Sequence, residues 1–85
     1  MKHATASSLD QLDPLLGQLR DIAGLKEKQR GIFYVKSKAF LHFHEDPAGL
    51  FADLRVARDW ERYPVTTAGE RKILLETVGD ALRLR

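Results

Sequence analysis

The 85-residue chain is too short for two hydrophobic cores, and its 44% apolar and 31% charged residues are a globular composition that excludes extended disorder. Its 14 basic and 12 acidic residues leave a net charge of +2, too small to mark a binder of nucleic acid or anionic membrane. With no cysteine, disulfides, thiolate metal sites and thiol nucleophiles are excluded.

Residues 1–7 are small and polar and read as a flexible tail, leaving 8–85 as a single α+β domain. No apolar run follows the basic start, and no segment approaches the ~20 apolar residues of a membrane span. A cytoplasmic location without a membrane partner is the expectation. Leu12, Leu15, Leu16, Leu19, Ile22 and Ala23 then recur at helical spacing. Ser8 and Gln11 fit a capping box, but Pro14 would then fall beyond the first turn, where its missing N–H is costly. Asp13 as N-cap with Pro14 next avoids that conflict, and Gly24 is the expected stop.

After the charged connector LKEKQRG comes IFYVKSKAFLHFHEDPAGLFADLRV, rich in aromatic and β-branched residues. It divides into strands over 32–36, 40–45 and 50–56, with a tight turn near Ser37–Ala39 and a second at Asp46-Pro47-Ala48-Gly49. DWERYPVTT supplies a short fourth strand ending at Val65, with Pro64 confining it to an edge. Thr67 and Glu70 form a T-x-x-E capping box before a helix whose buried stripe is Leu74, Leu75, Val78, Ala81 and Leu82. The fold class predicted is a two-layer α+β domain, a three- to four-stranded antiparallel meander with N- and C-terminal helices on one face.

Strand alternation assigns the faces. Leu50, Ala52, Leu54 and Val56 form an apolar face that must join Leu41 and Phe43 beneath the helices, since a one-residue slip would bury Asp53 and Arg55 instead. That register sets His42 opposite Asp53, His44 opposite Phe51 and Phe40 opposite Arg55. For the first strand, a three-residue turn would bury Phe33 and Val35 and leave Ile32, Tyr34 and Lys36 beside the histidines; a two-residue turn would invert this. The outer face therefore carries Tyr34, Phe40, His42, His44, Phe51, Asp53 and Arg55, which are the candidate ligand- or partner-binding residues.

Two readings of that face compete. Histidines at i and i+2 on a strand, with Asp53 opposite, supply a two-histidine, one-carboxylate set for a divalent transition metal at His42, His44 and Asp53. The plainer reading is a cross-strand His42–Asp53 charge pair on an interaction surface for another protein or a second copy, as a homodimer. Acid–base chemistry by His42 lacks a nucleophile, since Ser7, Ser8 and Ser37 sit in a tail or a turn, and no catalytic residue is assigned. Glu45 and Asp46 lack calcium-loop spacing, and Asp46 before Pro47 is a turn former. Lys26, Lys28, Arg30, Lys36 and Lys38 near exposed aromatics resemble a single-strand stacking platform, but neighbouring carboxylates repel phosphate and disfavour nucleic acid. Trp60 with Arg58, Arg62 and Tyr63 is either a partner anchor or a cap on the core's edge.

The run GIFYVKSKAFLHFHEDPAGLFADLR, followed by RYPVTTAGERKILLETV, resembles a group of short uncharacterised bacterial proteins. These share an FLHFHEDP-G hairpin, an ADLR strand and a threonine-capped terminal helix. The resemblance covers Leu9 to Leu82 and implies one compact α+β domain of bacterial origin. It implies no activity, cofactor or catalytic residue. The sequence thus predicts a small non-enzymatic binding module acting through its outer sheet face without a cofactor, with the metal centre as the alternative.

Overall fold

A computed structural model describes residues 2–84. The element order is β1 (Lys2–His3), α1 (Ala6–Gln11), α2 (Asp13–Arg20), β2 (Lys26–Gln29), β3 (Ile32–Val35), β4 (Lys38–Asp46), β5 (Gly49–Val56), β6 (Asp59–Pro64) and α3 (Ala68–Arg83). The class is α+β, with a six-stranded sheet ordered β2-β3-β4-β5-β6 and β1 joined to β4. Every pairing among the described residues is antiparallel. No helix among these residues is long and apolar enough to cross a membrane.

Two of the six strands depart from the sequence reading. The connector contributes β2, which pairs along β3 with Lys26 opposite Tyr34 and Glu27 opposite Phe33. Its polar side chains give no alternation to detect, because an edge strand is held mainly by backbone pairing. Residues 2–7, read as a flexible tail, carry β1 and the start of α1. β1 lies along the far half of β4, with Lys2 opposite Glu45 and His3 opposite His44.

Where the leucine spacing predicts one N-terminal helix there are two, meeting at Leu12. Pro14 has no N–H to bond the preceding turn, so the ladder closes on Leu12 and restarts with Leu16 N–H donating to Leu12 O at 2.9 Å. The apolar stripe survives the break: Leu12, Leu15, Leu16 and Leu19 are all buried. They share one core with Leu74 and Val78 of α3 and with Leu41, Phe43, Leu50, Ala52 and Leu54 of the sheet. At Thr67 the predicted capping box is complete, the hydroxyl accepting from Glu70 N–H and the Glu70 carboxylate accepting from Thr67 N–H.

The first hairpin takes the two-residue turn but keeps the strand face expected of the three-residue one, and it corrects the placement of Phe40. Val35 pairs with Lys38 across a two-residue turn, with Lys36 in the left-handed region at φ 59°. That turn alone would turn Phe33 and Val35 outward. A β-bulge between the pairs Tyr34–Ala39 and Phe33–Leu41 adds one residue, Phe40, to β4 and restores the parity. Phe33 and Val35 are buried as a result, and Phe40 enters the core beside Leu41 instead of lying on the histidine face. The second hairpin pairs Asp46 with Gly49, and Asp46 Oδ1 accepts from Ala48 N–H at 3.0 Å, so this acidic residue is a turn former.

Candidate functional site

Beyond the bulge, β4 and β5 run in regular register, with His42 opposite Asp53 and His44 opposite Phe51. β6 continues the layer, with Arg62 opposite Asp53 and Trp60 opposite Arg55. Alternation therefore places His42, His44, Phe51, Asp53, Arg55, Trp60 and Arg62 on the sheet face away from the core. Tyr34, half-buried on β3, has Lys28 Nζ 4.5 Å from its ring centroid. Phe40 is the one expected surface residue that this face lacks.

The third histidine comes from the N-terminus. His3, paired with His44, stacks on that ring at 4.8 Å and 27°. The His42 and His44 rings meet edge-on at 4.9 Å, and His3 and His42 lie 5.8 Å apart. One ring nitrogen from each of His3, His42 and His44 falls within 4.8 Å of the other two. Zinc–nitrogen bonds of about 2.0–2.1 Å place tetrahedral ligands about 3.3 Å apart, so the three nitrogens would have to close by side-chain rotation to share one ion. Sequence reasoning missed His3 because a two-residue strand is too short to show a period. The only hint available was a third histidine in a chain that has three.

Asp53 takes a different place from the one its position suggests. The carboxylate is buried, at 7% exposure, and Arg62 clasps it with Nε to Oδ1 at 2.8 Å and Nη2 to Oδ2 at 2.9 Å. His44 Nε2 also approaches Oδ2, at 3.0 Å, but off the line of a hydrogen bond. Burial by itself would raise the Asp53 pKa. The Arg62 hydrogen bonds and the neighbouring charges of His44, Arg62 and His42 outweigh it and hold the group below its ordinary value. With both oxygens engaged, Asp53 stands behind His44 as a carboxylate neighbour to a histidine whose Nδ1 stays open.

His42 sits between Trp60, with ring centroids 4.6 Å apart, and the other two imidazoles. Burial, followed by the charge of His44, lowers its pKa, with Asp53 pulling the other way. Neutral imidazole is the metal-ligating form, so this depression favours ligation at neutral pH. Among the described residues, His42 Nδ1, His44 Nδ1, His44 Nε2 and Arg55 Nε are buried without a hydrogen-bond partner. Buried polar atoms are seldom left so, and here they gather on one face. Arg55 lies over the Trp60 ring at 4.6 Å, and Trp60 itself is 39% exposed, so it forms part of the outer face and does not cap the core.

No protein-family model, curated protein or solved structure matches the chain, so the reading of this face rests on its own geometry.

Proposed function

We propose that the protein is a small binding module whose outer sheet face takes a divalent transition metal ion through His3, His42 and His44. The observation that carries this is the convergence of three imidazoles, with ligand nitrogens within 4.8 Å of one another. An all-imidazole set suits zinc, copper or nickel better than calcium or magnesium, which prefer oxygen. Asp53 and Arg62 set the back wall, and Trp60 closes one side against His42.

The test is a zinc titration followed through the histidine ring resonances. Saturable shifts of His3, His42 and His44 at one equivalent support the reading, and they must vanish in both His42→Ala and His44→Ala. A protein that gives no ring shifts at stoichiometric zinc, copper or nickel does not have this function.

A second reading has a specific observation of its own. Trp60, exposed on edge strand β6 with Arg55 stacked on it, has the composition of an anchor for another protein or a second copy of this chain. Sedimentation of the metal-free protein and of Trp60→Ala distinguishes it: self-association lost on substitution would favour this reading.

A further inference from the structure

His3 lies on a strand of two residues, too short to hold itself in place. Ala4 N–H donating to Phe43 O at 3.1 Å extends the pairing by one bond. Further grip comes from Glu45. Its Oε1 accepts from Thr5 N–H at 2.6 Å and from the hydroxyl of buried Ser8 at 2.8 Å, while Oε2 lies 3.6 Å from Lys2 Nζ. One carboxylate thus fastens the residues on both sides of His3 and satisfies the backbone N–H of Thr5, one of the unpaired donors at the start of α1.

Glu45 follows His44 on β4, so its side chain projects to the opposite sheet face from the imidazoles. It cannot share an ion with them. Its hydrogen bonds reach the site through the residues flanking His3, the sole member of the three supplied from outside β4.

Resting on the metal reading above, we infer that Glu45 is a positioning residue of the three-histidine site: it docks the N-terminal strand on β4 and so delivers His3 to the pair His42 and His44. Metal binding and docking of β1 are then one coupled event, each favouring the other.

Zinc affinity measured by competition with a chromophoric chelator tests this on the full chain, using wild type, Glu45→Ala, Glu45→Gln, His3→Ala and the Glu45→Ala/His3→Ala double variant. The expected result is an affinity loss on the order of tenfold in Glu45→Ala, the size typical of residues that orient a ligand. Glu45→Gln, which keeps an oxygen acceptor, recovers part of that loss. In the His3→Ala background, Glu45→Ala produces no further loss, because the histidine it positions is gone. Wild-type affinity in Glu45→Ala overturns the inference and leaves the metal site standing. An equal loss with and without His3 also overturns it, since the effect would then be a general weakening of the fold. Failure of the wild type to bind zinc removes both readings.

Discussion

His44 Nε2 lies 3.0 Å from Asp53 Oδ2 across β4 and β5, while Arg62 holds the same carboxylate from β6. Asp53 thereby joins three strands on the outer face and ties the histidine pair to an anchored anion. The buried carboxylate is tolerated because the Arg62 guanidinium donates to both of its oxygens.

Asp53→Asn keeps the volume and removes the charge. It should destabilise the protein by about 1–2 kcal/mol at neutral pH, toward the lower part of the range for charged hydrogen bonds because Arg62 is half-exposed and screened. The folded pKa is depressed below 3.8, so the contribution is present above that value and is lost as pH falls beneath it. Urea unfolding of both proteins checks this. Their stabilities should differ at pH 7, the difference should shrink as the pH falls below 3.8, and equal stability across that range would contradict it.

The folded pKa of His42 lies below 6.5, set by its own burial first and then by four neighbouring groups: His44, Asp53 in opposition, His3 and Arg62. A depressed histidine favours folding above the unfolded value. That contribution is fully present above about pH 6.5 and is lost as pH falls toward the folded pKa, where the unfolded chain takes up the proton first. The His42 ring should titrate below the histidine of an unfolded peptide. His42→Ala should also flatten the stability–pH curve as the pH falls below 6.5. A His42 midpoint at or above 6.5 would show that the face is wetter than the structure has it.

Phe40→Ala should cost about 3 kcal/mol or more, since the bulge puts that ring in the core at 0% exposure. Phe51→Ala, on the half-buried outer face, should cost clearly less. Denaturant midpoints for the two variants decide it. A cost below about 1 kcal/mol for Phe40→Ala would return this residue to the surface.

Ala57 turns the β5–β6 hairpin at φ 57°, a left-handed conformation that a Cβ disfavours. Replacing it with glycine relieves that strain and adds some unfolded-state entropy, for a net gain of about 0.5–1 kcal/mol. A raised melting temperature for Ala57→Gly is the expected readout, and a lowered one would count against strain at this turn.

The sequence by itself determined the elements with a clear period or cap. The meander from 32 to 65, the Thr67 box and the pairing of His42 with Asp53 follow from alternation, turn chemistry and the need to keep Asp53 and Arg55 out of the core. Three features were decided only by tertiary structure. A bulge at Phe40 leaves no local signature, yet it reverses one side chain and offsets the two-residue turn at Lys36 and Ser37. The strand Lys26–Gln29 has no apolar alternation, because backbone pairing at a sheet edge holds it. His3 reaches His44 from 41 positions away by pairing along the free side of β4, a long-range contact that no local pattern encodes.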